Sequence, residues 1–213
     1  MPDLAAALQA VLPAGVGVGW ADPKATATGL LPGESLPGAV PARLAEFAAG
    51  RRAARAALRD LGWSAMAVPM GPDRAPVWPA GLVGSISHSS SRCVAIVSAV
   101  HLGLGIDLEP DNPLEPDLWP EVLGAGDLAD SGLMAKAVFC AKEAAYKAQY
   151  PQSRALFGFE VLRVVMDADL FTATFRRDIP PFPSGFVIAG RIVRAQGHVA
   201  ALCWLPSQVL KIP

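Results

Sequence analysis

The chain has 213 residues, 18 basic and 19 acidic, with a formal net charge of −1 at pH 7. Only 17% of its residues are charged and 52% are apolar, which excludes a disordered chain and, with no broad basic surface, argues against a nucleic-acid-binding protein. Mean hydropathy is high at +0.36, yet the apolar stretch Cys93–Ile106 is broken by Ser98 and His101 and falls short of the ~20 residues of a membrane span.

The first forty residues are punctuated by Gly and Pro, with a short strand expected at Gly15–Trp20. Residues 41–61 read as a helix, with Pro41 near its start and Gly62 as its stop. Its apolar positions Leu44, Phe47, Ala54 and Leu58 keep helical spacing, and Arg43, Arg51, Arg52, Arg55 and Arg59 fall largely on other faces, marking a local anion site. A loop at 71–81 leads to strands at Val83–Ser87, Cys93–Val100 and Gly105–Glu109. Residues 93–135 contain no Lys or Arg and eight acids; within them, 110–133 is rich in Pro and Gly, with a short helix expected at Leu118–Leu123. A second helix is expected over Leu133–Gln149, ended by Pro151, with Met134, Ala137, Val138, Ala141, Ala145 and Ala148 on one stripe and Lys136, Cys140, Glu143 and Lys147 on the opposite one. Four strands are expected after it, at Phe159–Met166, Leu170–Phe175, Gly185–Ile192 and Val199–Trp204.

Residues 47–57 can be laid over 139–149, and 93–100 over 198–205. Helix followed by strands, twice, points to an α+β fold of two similar halves, 1–105 and 106–213. Three scattered cysteines without a CxxC, and no basic segment ahead of the first apolar residues, point to a cytoplasmic protein without a signal peptide.

In GIDLEP (105–110), strand geometry puts Asp107 and Glu109 side by side, with Ile106 and Leu108 turned into the core. Paired carboxylates suit a hard divalent cation, but D-x-E alone reads first as a strand running into a solvated acidic loop. In FCAKEAAYKA (139–148), Glu143 and Lys147 share a helical face. They read as a surface ion pair contributing about 0.3–0.5 kcal/mol, or as a third metal ligand or base with a phosphate-binding lysine. SISHSS (85–90) offers hydroxyls and His88 at a strand end, suited to phosphate oxygens or to a polar turn. GVGVG (15–19) lacks dinucleotide-binding spacing.

Taken together, SISHS, GIDLE and F-x-x-K-E-x-x-x-K in this order resemble the 4'-phosphopantetheinyl transferase superfamily, in its enterobactin-synthetase-component-D or surfactin-type branch. The Arg-rich helix and the 71–79 loop agree. The resemblance implies a monomer of two α/β halves related by a pseudo-twofold axis. It implies transfer of phosphopantetheine from coenzyme A to a serine of an acyl, peptidyl or aryl carrier domain. Asp107, Glu109 and Glu143 would hold Mg²⁺, which Mn²⁺ can replace in oxygen sites. Glu143 would take the serine proton, and Lys147 would neutralise phosphate oxygens. Ser87 and His88 would contact phosphates, and Arg51, Arg52 and Arg74 the 3'-phosphate-adenosine end. Phe139 and Cys140 stand where Trp and Ser or Thr are common, with no expected effect on catalysis. The acidic 110–133 segment would repel an acidic carrier, so docking would be apolar or use Arg154, Arg176 and Arg177. Two rivals differ in chemistry: a metal-dependent phosphohydrolase acting on coenzyme A, and a non-catalytic carrier- or coenzyme-A-binding relative.

Overall fold

The computed structural model describes residues 3–207. In chain order the elements are α1 (Leu4–Gln9), β1 (Val16–Ala21), α2 (Pro41–Asp60), β2 (Val83–His88), β3 (Cys93–Ser98), β4 (His101–Pro110), α3 (Trp119–Val122), α4 (Gly132–Ser153), β5 (Leu162–Asp167), β6 (Leu170–Phe175), β7 (Val187–Ala195) and β8 (His198–Pro206). Single 3-10 turns precede α3 and β5.

The chain divides into two units between Val100 and His101, five residues before the boundary expected from sequence. The first unit is a three-stranded antiparallel sheet, ordered β1-β3-β2, with α2 packed on it. The second is a five-stranded antiparallel sheet, ordered β4-β8-β7-β6-β5, with α4 packed on it. Helix α1, not foreseen in the sequence, belongs to the second unit despite its position in the chain: it packs on β7, and the Leu4 N–H donates to Gln196 Oε1 at 3.4 Å.

The repeat is real in architecture but differs in frame. Each unit runs strand, helix, strand, strand, and the second has the β5–β6 hairpin inserted. A G-x-G sequence in the first strand of each lets the helix approach. A Cβ on Gly19 would stand 2.2 Å from the Ala53 carbonyl oxygen and 2.4 Å from Ala57 N, and one on Gly17 2.4 Å from the Ala57 oxygen. Correspondingly, Gly105 would meet Ala144 O at 1.8 Å and Ala148 N at 3.0 Å, and Gly103 would meet Ala148 O at 2.0 Å. These contacts match Ala53 with Ala144, one residue out of the sequence overlay. Pairing of Gly17 with Val97 and of Gly103 with Leu205 puts β3 and β8 three residues out of it. GVGVG, silent as a motif, is thus the bed of α2.

α4 is longer than expected. The Ser131 hydroxyl caps its start by accepting the Met134 N–H, and Arg154, in the left-handed region at φ 54°, caps its end. Pro151 sits inside the last turn rather than ending the helix, where it removes one hydrogen bond and leaves the rest of the ladder intact. Gly62 stops α2 as expected, at φ 84°. The core of the second unit joins Val138, Ala141 and Ala145 of α4 to Phe171, Phe175 and Phe182.

Gly105→Ala is expected to lose about 3 kcal/mol, the upper part of the overpacking range, because backbone rather than a flexible side chain lies where the methyl must go. Equilibrium urea unfolding checks this. An unchanged midpoint would show that the helix can withdraw at no cost.

Candidate active site

Residues 103, 105, 107 and 109 lie on one face of β4, because side chains alternate along a strand. Gly103 and Gly105 lie against Ala148 and Ala144, so α4 runs antiparallel to β4 across that face. Two strand residues span about 6.7 Å and four helical residues about 6 Å, so the match continues along the pair. Asp107 falls beside Cys140, whose thiol shares a hydrogen bond with it. Glu109 falls beside Lys136, with Nζ to Oε2 at 3.3 Å. Ile106 and Leu108, on the reverse face, are fully buried as expected.

The Lys136–Cys140–Glu143–Lys147 stripe is therefore not a solvent face of α4, and the surface ion-pair reading of Glu143 and Lys147 does not hold. Cys140 is fully buried, and Lys147 reaches along β4 to place its ammonium 2.7 Å from Asp107 Oδ1 and 3.1 Å from the Ile106 carbonyl oxygen. Asp107 is itself 5% exposed. Burial lowers the Lys147 pKa, but the neighbouring Asp107 and Glu143 carboxylates outweigh it and raise the value overall, so Lys147 is a fixed cation. Glu143 shifts upward: burial disfavours its charge, the Lys147 ammonium opposes this, and the Asp107 and Glu109 carboxylates add repulsion. Burial first, then the same two carboxylates, hold Cys140 well above the ordinary thiol range, so it remains a protonated thiol.

Asp107, Glu109 and Glu143 are thus electrostatically coupled around one helix–strand contact. Among the described residues, no group of three His, Cys, Asp or Glu side chains is drawn together as a closed metal site; Asp107 and Glu109 lean instead on Lys147 and Lys136. The donor chemistry nevertheless fits a hard divalent cation: three carboxylates, one destabilised in its charged form by the other two.

Glu143 also lines a cavity of about 340 Å³, shared with Tyr146, Phe157, Phe159 and Leu162. Lys142, to which sequence reasoning gave no role, forms part of its wall. Its side chain is fully buried and donates to the Val122 carbonyl at 2.8 Å, the Phe159 carbonyl at 2.9 Å and Asp127 Oδ2 at 2.6 Å. Asp127 in turn accepts the Gly124 and Val164 N–H groups at 2.7 and 2.6 Å. Arg163 and Arg176 bond the Gly126 and Ala125 carbonyls, and Arg194 pairs with Asp111. The acidic 110–133 segment is thereby tied to cations of its own unit, and Arg176, expected at a docking surface, is partly spent on it. No local pattern in the sequence marks the Lys142–Asp127 pair.

In the first unit the candidate residues separate. Arg51 turns inward: its Nε donates to the Val68 carbonyl at 2.8 Å, its guanidinium lies 3.8 Å from the centre of the Phe47 ring, and burial lowers its pKa to about 10. Arg52 remains more accessible and donates to the carbonyls of Asp22, Thr26 and Thr28. Arg74 sits in a turn in the left-handed region, at φ 66°. Ser87 and His88, as successive strand residues, project to opposite faces; His88 Nε2 lies 3.3 Å from Arg43 and 3.9 Å from Glu46, both on α2. Arg55 forms a buried pair with Glu34 at 2.6 Å, a structural contact not foreseen in the sequence.

Comparisons with known proteins place the chain in a family. Residues 32–98 match the family model of the 4'-phosphopantetheinyl transferase N-terminal domain, and 103–203 that of the 4'-phosphopantetheinyl transferase superfamily. The chain is 38% identical over 168 residues to 4'-phosphopantetheinyl transferase Svp of Streptomyces mobaraensis, covering 72% of this chain and 65% of Svp. It is 33% identical over 150 residues to Npt of Nocardia iowensis, covering 64% of this chain and 68% of Npt. It is 37% identical over 114 residues to enterobactin synthase component D of Salmonella typhimurium, covering 50% and 48%. The matched stretch thus spans from about half to two thirds of these relatives. With both units matched in order, and the β4–α4 contact carrying the acids and the lysine, the chain belongs to the 4'-phosphopantetheinyl transferase superfamily.

Proposed function

We propose that the protein transfers the phosphopantetheine arm of coenzyme A to a serine hydroxyl of an acyl, peptidyl or aryl carrier domain, releasing 3',5'-ADP. The observation that carries this reading is the meeting of Asp107, Glu143 and Lys147 where α4 crosses β4, beside the cavity. Glu143 accepts the hydroxyl proton. The serine oxygen bonds to the pantetheine-side phosphorus as the bond from that phosphorus to the bridging oxygen breaks, and the electron pair leaves with 3',5'-ADP. The upward shift of the Glu143 pKa, caused first by burial, makes its carboxylate a stronger proton acceptor. Lys147, held cationic by Asp107, neutralises charge on the phosphate oxygens, and such positioned charge is the main contribution a protein makes to phosphoryl transfer. Asp107, Glu109 and Glu143 would hold Mg²⁺, or Mn²⁺ in its place, which when bound would offset the charge of the pyrophosphate.

The cavity beside Glu143 suits the pantetheine arm, since its aromatic walls cover an uncharged chain and its volume lies at the small end of ligand sites. On this reading Arg52, Arg74 and His88 would contact phosphate oxygens of coenzyme A, whereas Arg51 serves packing against Val68 and Phe47. Three buried, free cysteines suit a reducing compartment such as the cytoplasm. No described helix is long and apolar enough to cross a membrane. The reading has the protein acting as a single chain.

Incubation with coenzyme A, Mg²⁺ and apo carrier domains tests the assignment. The expected result is a mass gain of one phosphopantetheine per carrier with release of 3',5'-ADP. Consumption of coenzyme A without a carrier would instead identify a phosphohydrolase.

A further inference from the structure

The cavity next to Glu143 carries more negative charge than a neutral pantetheine arm requires. Glu121 and Glu160 also line it, and both are exposed. Glu160 is folded back over Gly158, another residue of the lining: a Cβ on Gly158 would stand 2.3 Å from Glu160 Oε2. The cation of the wall, Lys142, is paired with Asp127 and bonded to the Val122 and Phe159 carbonyls, and it offsets Glu160 only in part. Glu143 is half-buried, whereas Glu121 and Glu160 are exposed.

We infer that Glu121 and Glu160 select the arm by the charge at its free end, so that coenzyme A and its neutral thioesters are used and thioesters ending in a carboxylate are rejected. The inference rests on the transferase reading and specifies its substrate. An arm whose phosphate is held at Lys147, beside Glu143, and whose free end runs outward presents its thiol, or the acyl group on it, towards the two exposed carboxylates. A terminal carboxylate there meets like charge, whereas a neutral terminus of the same shape does not. Solvent weakens this repulsion at an exposed rim, so the effect is on the order of tenfold rather than absolute. It acts on binding, because the charge lies far from the reacting phosphorus. The chemical step is unchanged: one serine O–P bond forms, one P–O bond of the pyrophosphate breaks, and the acyl thioester passes through intact.

Succinyl-coenzyme A and its isosteric amide, succinamyl-coenzyme A, differ at the terminus only in charge. With an apo carrier and a mass readout, the wild type is expected to favour the amide about tenfold in kcat/KM, with the difference in KM. The Glu121→Gln/Glu160→Gln protein is expected to bring the ratio below about threefold, and the wild-type ratio should fall in the same direction as salt is raised. Equal use of the two thioesters by a wild type that turns over coenzyme A would overturn the selectivity and leave the transferase reading standing. A preference that persists in the double variant and is insensitive to salt would overturn the assignment to these residues. No transfer from coenzyme A itself would remove both readings together.

Discussion

Glu143→Gln is expected to lower transfer by about a thousandfold, within the range for loss of a general base, while leaving the fold as stable as before or slightly more so. The two effects part because of the environment of Glu143. Its carboxyl is raised by burial and by repulsion from Asp107 and Glu109, with Lys147 only partly opposing. A group whose pKa is higher in the folded state stabilises the fold fully below its unfolded value and loses that contribution as pH rises through the folded one. At neutral pH the protein therefore holds the Glu143 charge at a cost, and glutamine relieves it. Steady-state transfer read by carrier mass, with thermal unfolding at pH 7, checks both halves. Substantial turnover by the variant would remove Glu143 from the role of base, and a large fall in Tm would show that its charge supports the fold.

Lys142→Met is expected to cost about 3–5 kcal/mol, because removing one member of a buried pair leaves the other's charge uncompensated. Asp127 would be stranded, and the Val122 and Phe159 carbonyls would lose their donor. For a chain of this size such a loss lowers Tm by about 10 °C. Lys142→Arg should not rescue it, since a planar fork cannot replace a point ammonium among three acceptors 2.6–2.9 Å away. Equilibrium guanidinium unfolding gives the measurement; a change below about 1 kcal/mol would mean that the acidic segment is held by Arg163, Arg176 and Arg194 without this lysine. The adjacent residues Lys142 and Glu143 thus have different duties: one fastens the wall of the cavity, and the other faces the chemistry.

The pairing of Asp107 with Glu109, the burial of Ile106 and Leu108, and the common helical face of Glu143 and Lys147 could all be read from the chain, because each depends on a period set by backbone geometry within one segment. The order of elements after α1 followed from the same local patterns together with Gly and Pro, whereas the joining of α1 to the second unit did not. The direction in which a face looks did not. The charged stripe of α4 resembled a solvated surface, yet it lies on β4, because Gly103 and Gly105 admit the helix backbone there and a polar stripe is compatible with either water or a polar strand. Arg51 and Arg52 are equivalent in sequence but differ in structure: Arg51 is buried against Val68 and Phe47, whereas Arg52 is half-exposed and bonds carbonyls of the Asp22–Thr28 loop. The Lys142–Asp127 pair and the cavity beside Glu143 join residues from separate segments whose local sequences carry no mark of one another. Spacing along one segment decided which side chains stand together; only the packing of distant segments, summed over many weak contacts, decided what they face.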